Sequence, residues 1–260
     1  MRTKMYKGVE SSYFLGVRID KHTSDTALAN IQNILDEKPE TGNIAPVYFV
    51  NVHSIFLALQ HHSLMEQLNY SALTLADGSG LHWAGKLLGE PVVENLNGTD
   101  FTPKVLKLAE TSGKSVYLLG ARESVLNRTI SNIEQQFPSL KIAGFHHGYF
   151  NTEDEAGIIK DINRSKADIL LVGMGSPIQE DWIWRNKEKL KARIGFAVGG
   201  LFDFLSGEFP RAPLWMRRSG LEWLYRFFND PSSKWKRIFV EIPIFLPLII
   251  LAHFLPKRIS

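Results

Sequence analysis

Apolar and polar positions along this chain fall into blocks that switch between two periods. Short apolar runs read as strands: Phe14–Asp20, Val47–Val50, Ala72–Leu75, Val116–Gly120, Leu140–Gly144, Ala167–Gly175 and Ile194–Val198. Longer stretches with apolar residues three and four apart read as helices. Thr23 or Ser24 can cap the first, with Ala27, Ile31 and Ile34 on its inner face; Ser54 can cap the second, Ile55–Leu68. Leu81, Trp83, Ala84, Leu87 and Leu88 give a third helix an apolar face, and Gly89 and Pro91 stop it. Further helices are expected over Thr99–Thr111, Glu123–Gln136 and Glu153–Ser165, and another after Pro177; His146–Phe150 reads as a loop. Strand and helix alternate, which predicts an α/β fold with a parallel sheet covered on both faces.

From Arg211 the pattern changes. Pro213–Phe228 is a candidate helix in which Trp215, Trp223, Phe227 and Phe228 stand beside Arg217, Arg218 and Arg226. An apolar run over Ile238–Leu255 follows, interrupted by Glu241, Pro243 and Pro247, so a plain transmembrane helix is not the reading. The expected division is a core over residues 1–210 and an appendage over residues 211–260.

Charge sharpens that division. Residues 211–260 hold nine Lys/Arg against three acids, whereas residues 1–210 hold 21 against 24. A basic, aromatic appendage on a weakly acidic core points to an anionic partner. Aromatic anchors with Lys/Arg fit a segment lying in a membrane interface; the alternative is an arm packed on the body or on a second subunit. Nucleic acid fits less well, because so long an apolar run gains nothing from a phosphate backbone. The chain has no cysteine, so it has no disulfide framework and no thiolate metal site. Met1–Glu10 is charged and is followed by no apolar core of signal-peptide length, so export is not expected.

The candidate chemistry sits at strand ends, where open α/β sheets bind ligands. Asp77 follows the strand ending at Leu75 and reads as a catalytic carboxylate or as a turn or cap aspartate. Gly78 and Gly80 permit a close backbone approach or simply make the turn. Asn51 ends another strand and can read a ligand or shape a turn. Gly173-Met-Gly175 opens a helix whose N–H groups can hold a phosphate, with Gln179 and Glu180 in its first turn; it lacks the third glycine of the dinucleotide fingerprint. Asp203 is a second candidate acid. His53, His61 and His62 lack partners at metal-ligand spacing and read as surface or packing residues.

Taken in order, these segments resemble the WecG/TagA/CpsF family, the family 26 glycosyltransferases, over nearly the whole chain. The resemblance is carried by Leu15-Gly-Val-Arg-Ile-Asp20, Ala76-Asp-Gly-Ser-Gly80, Asn97-Gly-Thr-Asp100, Leu171-Val-Gly-Met-Gly-Ser-Pro-Ile-Gln-Glu180, Gly199-Gly-Leu-Phe-Asp-Phe204 and Arg211-Ala-Pro213. It implies a Rossmann-like core and sugar transfer with inversion from a UDP-sugar, without a metal or other cofactor. The acceptor it implies is a polyprenyl-diphosphate-linked sugar at the cytoplasmic face of the membrane. The family's catalytic base falls on Asp77. Its donor site falls on Asn51 and Gln179, with Gly78, Gly173 and Gly175 beside them. Its lipid-diphosphate contacts fall on the appendage, at Arg211, Arg217, Arg218 and Arg226. Phe49 stands where many members have threonine, and Asn95 where many have arginine. Both positions concern the donor sugar, which leaves ManNAc-type, ManNAcA-type and glucose donors open. The form Asn97-Gly-Thr-Asp100 resembles exopolysaccharide glucosyltransferase members.

Three function classes follow: a membrane-peripheral glycosyltransferase, a nucleotide-dependent oxidoreductase suggested only by the alternating elements and Gly-x-Gly, and a non-catalytic membrane scaffold. A homo-oligomer is compatible with each.

Overall fold

The computed structural model describes residues 9–37, 43–229 and 231–254. In chain order the elements are β1 (Ser11–Phe14), β2 (Val17–Asp20), α1 (Ser24–Asp36), β3 (Ala45–Val50), α2 (Val52–Gln60), α3 (His62–Asn69), β4 (Leu73–Ala76) and α4 (Ser79–Leu88). They continue with α5 (Gly98–Thr111), β5 (Ser115–Gly120), α6 (Glu123–Gln136), β6 (Lys141–His146), α7 (Glu155–Ser165), β7 (Ile169–Gly173), α8 (Ile178–Asn186), β8 (Ile194–Ala197) and α9 (Leu201–Leu205). The appendage follows as α10 (Leu214–Arg218), α11 (Glu222–Asn229), α12 (Pro231–Lys236), a π-helical turn (Arg237–Glu241) and α13 (Ile242–Phe254).

The main sheet has six parallel strands in the order β4-β3-β8-β7-β5-β6. Successive strand residues point to opposite faces. In β7, Leu170 and Val172 join one buried cluster, with α2, α3, α4, α7 and α8, while Ile169 and Leu171 join the other, with α1, α5, α6 and α9. Burial on both faces is why these strands read as unbroken apolar runs. β3 leads into α2 on the first face and its neighbour β8 leads into α9 on the second. The chain therefore splays apart at their carboxyl ends, and a crevice opens there.

Three expectations about local structure are corrected. Phe14–Asp20 is not one strand: Leu15 and Gly16, both at positive φ, turn β1 back onto β2. The hairpin covers the edge of β4, where the Asp20 carboxylate accepts from Thr74 N–H at 2.8 Å and pairs with the buried Arg18 at 3.0 Å. The helix after β3 is capped by Asn51, not Ser54, and breaks at His61 into α2 and α3. The expected face of α4 is split. Leu81 and Ala84 are buried, but Trp83 and Leu87 lie on the opposite side of the helix and are 66% and 55% exposed.

The appendage also differs from its expected form. Gly220, at positive φ, breaks the expected Pro213–Phe228 helix into α10 and α11. α13 uses one side to reach the core: Phe245 and Ile249, each 1% exposed, enter the cluster formed by α2 and α4. No helix among the described residues is long and apolar enough to cross a membrane. Leu255, the end of the apolar run, lies outside the described residues.

Candidate active site

The crevice is built from the ends of β3, β4, β7 and β8. Asn51 takes an extended conformation after β3, and its Oδ1 accepts from Ser54 N–H at 3.1 Å, which starts α2. This leaves Nδ2 to donate to Asp77 Oδ2 at 3.4 Å, so the two candidates meet. Asp77 itself is set by backbone on both sides. Its N–H extends the β3–β4 ladder to the Val50 carbonyl at 2.7 Å, and the next N–H, of Gly78, donates to Asn95 Oδ1 at 2.7 Å. Gly78 has φ +100°, open to glycine and strained for other residues.

On the other side of the crevice, Gln179 is buried. Its Oε1 accepts from Gly199 N–H at 2.9 Å and its Nε2 donates to Glu180 Oε1 at 2.9 Å, so it ties the end of β7 to the end of β8. Glu180 also accepts from Ser176 Oγ at 2.7 Å, and burial holds its carboxyl above the ordinary carboxylate range.

Two chambers open from this point. One, about 420 Å³, runs over the ends of β7 and β8, past Gly175, Ser176, Gln179, Gly199 and Asp203 to Tyr225 of the appendage. The other, about 400 Å³, runs between α4 and the appendage; Trp83, Leu221, Trp223, Phe245 and Leu246 make it markedly apolar. Asn51, His53 and Asp77 line both.

The other expected site residues separate on this map. Gly175 and Gln179 line the first chamber, whereas Gly78 lines the second. Gly173 lines neither; a side chain there would strike the Phe202 ring at 2.8 Å. Arg217 lines the second chamber, and its guanidinium also reaches Asp100 at 3.4 Å. Arg211 lines neither chamber and pairs with Asp100 at 2.9 Å and Glu222 at 3.5 Å, fastening the appendage to the Asn97–Asp100 segment. Arg218 and Arg226 fall in α10 and α11, but their side chains lie outside the described residues.

Sequence reasoning passed over His53. Its Nδ1 lies 2.9 and 2.8 Å from the two oxygens of Glu241, in the π-helical turn. The available signal was Glu241 itself, because a carboxylate inside an apolar run needs a partner. Trp83 was assigned to the core and is found lining the second chamber.

Comparison with known proteins agrees with this architecture. The model of the glycosyl transferase WecG/TagA/CpsF family matches residues 12–259. The chain is 32% identical over 234 residues to proteins of Staphylococcus aureus strains MW2, NCTC 8325 and COL, covering 89% of this chain and 89% of each relative. Each of those relatives is named N-acetylglucosaminyldiphosphoundecaprenol N-acetyl-beta-D-mannosaminyltransferase.

Proposed function

This chain belongs to the WecG/TagA/CpsF family of glycosyltransferases, and from that premise we propose that it moves a sugar from a UDP-sugar to a polyprenyl-diphosphate-linked sugar in cell-surface polysaccharide synthesis. The observation that carries the reading is the pair of chambers, one polar and one apolar, that meet at Asp77. A transferase acting by direct displacement needs two substrates to meet at one base. Family membership also decides against the oxidoreductase class.

In this reading the chamber over β7 and β8 takes the UDP-sugar, and the apolar chamber takes the acceptor sugar with the first units of its lipid. Asp77 accepts the acceptor hydroxyl proton as the hydroxyl oxygen bonds to the anomeric carbon. The bond to UDP breaks on the opposite side, so the configuration inverts. Arg217, on the acceptor chamber, suits the lipid diphosphate. The exposed apolar residues of the appendage, with Trp83 and Leu87 of α4, would rest in the cytoplasmic face of the membrane.

The donor sugar depends on Phe49 and Asn95. Phe49 stacks with Phe196 and packs under Gly98, while Asn95 is taken up in holding Gly78. The names of the relatives put an N-acetylmannosaminyl donor first for testing, with ManNAcA-type and glucosyl donors beside it. The experiment is a panel of these UDP-sugars with an N-acetylglucosamine-diphosphate-polyprenol acceptor. Transfer from one of them supports the reading, and transfer from none removes it.

A further inference from the structure

We propose that Asp100 is a positioning residue for the acceptor: it holds the Arg217 guanidinium in place for the lipid diphosphate before that substrate arrives. The proposal rests on the reading that puts the acceptor in the apolar chamber.

Asp100 stands in the first turn of α5, on the core, and the two arginines it meets belong to the appendage. Arg211 Nη2 donates to Asp100 Oδ1 at 2.9 Å, and Arg217 Nη1 donates to the same oxygen at 3.4 Å. The carboxylate is itself held in place. Arg211 also donates through Nη1 to the Thr99 carbonyl at 3.3 Å and stands 3.5 Å from Glu222 of α11, so it grips the core and the appendage at once. Arg217 is caught at two points: its Nε donates to the Ala212 carbonyl at 3.1 Å, and its Nη1 to Asp100. Those bonds leave further N–H donors of the guanidinium on a side chain that lines the apolar chamber, where Glu222 also stands.

Two arginines brought this close repel each other, and the carboxylate between them offsets that repulsion. All three side chains are partly exposed, and ion pairs of that kind add little to stability. Their effect lies in orientation. A free arginine side chain samples many rotamers, and an anion that binds it must first select one, at a cost in affinity. A guanidinium already held by Nε and one Nη meets a diphosphate with its fork aligned and can pair with two of its charged oxygens. Asp100 thus acts on the acceptor through Arg217. An aspartate in the first turn of a helix also complements the helix dipole, but that role acts on α5 and does not depend on Arg217.

The test measures calorimetric binding of farnesyl diphosphate to the full chain with UDP saturating, and of UDP alone. It compares wild type with Asp100→Asn, Asp100→Glu, Arg217→Gln and the double variant Asp100→Asn/Arg217→Gln. Asp100→Asn should weaken farnesyl diphosphate binding by about three- to tenfold, and Arg217→Gln by roughly tenfold or more. The double variant should match Arg217→Gln alone, because Asp100 acts through that side chain. Asp100→Glu, which keeps the charge, should recover most of the affinity, and UDP binding should be the same in all five proteins. In transfer assays Asp100→Asn should raise the acceptor KM while kcat at saturating acceptor stays within about twofold. Unchanged farnesyl diphosphate binding in Asp100→Asn, a loss shared by UDP, or losses that multiply in the double variant would each overturn the proposal. Wild type that binds neither ligand and uses no UDP-sugar sinks the functional reading and this proposal together. Wild type that transfers sugar but does not bind farnesyl diphosphate, or binds it no better than Asp100→Asn does, sinks this proposal alone.

Discussion

The sheet-centred core and the C-terminal appendage use similar apolar residues in opposite ways. In the core, β7 places Ile169, Leu170, Leu171 and Val172 out of contact with water, and the helices over both faces complete the burial. In the appendage, Trp215 and Phe239 are each 64% exposed and Leu251 is 59% exposed, while Phe245 and Ile249 on the same α13 are buried. The core therefore has its apolar partners within itself. Among its described residues the appendage has apolar partners for one side only, and it is fastened there by Phe245, by the Arg211–Asp100 pair and by the Glu241–His53 contact. Apolar surface left in water gains by burial elsewhere, and that difference is why the proposed reading gives the appendage a docking role that the core does not have.

The sharpest way to break the comparison is to remove the core's chemistry alone. Asp77→Asn keeps the shape and the Asn51 neighbour, and should lower transfer by roughly two to four orders of magnitude with UDP binding and thermal melting unchanged. Near-normal transfer would take the base away from the core. The next test sets the two sides of α13 against each other. Phe245→Ala should cost about 3–5 kcal/mol of stability, whereas Leu251→Ala should stay within about 0.5 kcal/mol, as urea unfolding would measure. Equal costs would mean that α13 has no distinct inner face.

A smaller effect concerns docking. Replacing Trp235, Phe239 and Leu251 together by alanine should reduce sedimentation with anionic vesicles by about tenfold or more, and should spare transfer to a short soluble acceptor. Undiminished sedimentation would make the exposed side a contact for another protein copy. The smallest effect lies inside the core. Burial raises the Glu180 carboxyl above its unfolded-state value. The stability it contributes is therefore full below the unfolded pKa and is lost as pH rises through the folded one. Unfolding free energy of wild type should fall by about 1 kcal/mol per pH unit across that window, and Glu180→Gln should flatten the fall. Parallel pH curves would show that Glu180 is ionised in the folded protein.

What the sequence made legible follows the same division. The helix Glu123–Gln136 and the parallel strands were readable because each is decided by its own apolar period and its local stops. That Asp77, Asn51 and Gln179 line one crevice was readable because parallel strands end on the same side of the sheet; their roles belong to the proposed function. Phe14–Asp20 misled because Leu15-Gly16 continues an apolar run and only its positive φ values turn the chain. Trp83 misled because an aromatic residue in an amphipathic helix looks like core until the neighbouring elements are known. His53 could not be found by spacing, since its partner is 188 residues away. The pairing of Arg211 and Arg217 with Asp100 was hidden in the same way, since Asp100 lies in a motif far from either.

The separation between His53 and Glu241 sets a timetable for synthesis. Asn51, His53 and Asp77 leave the ribosome early, and the sheet that holds them closes only when β8 arrives and inserts beside β3. Glu241 comes later still, followed by the Phe245 and Ile249 that seat its turn. Contacts this distant in sequence form late. A nascent chain thus carries Asp77 well before the wall beside it is finished. The segment that bears Glu241, with its exposed aromatic side chains, closes that wall only after the sheet is in place.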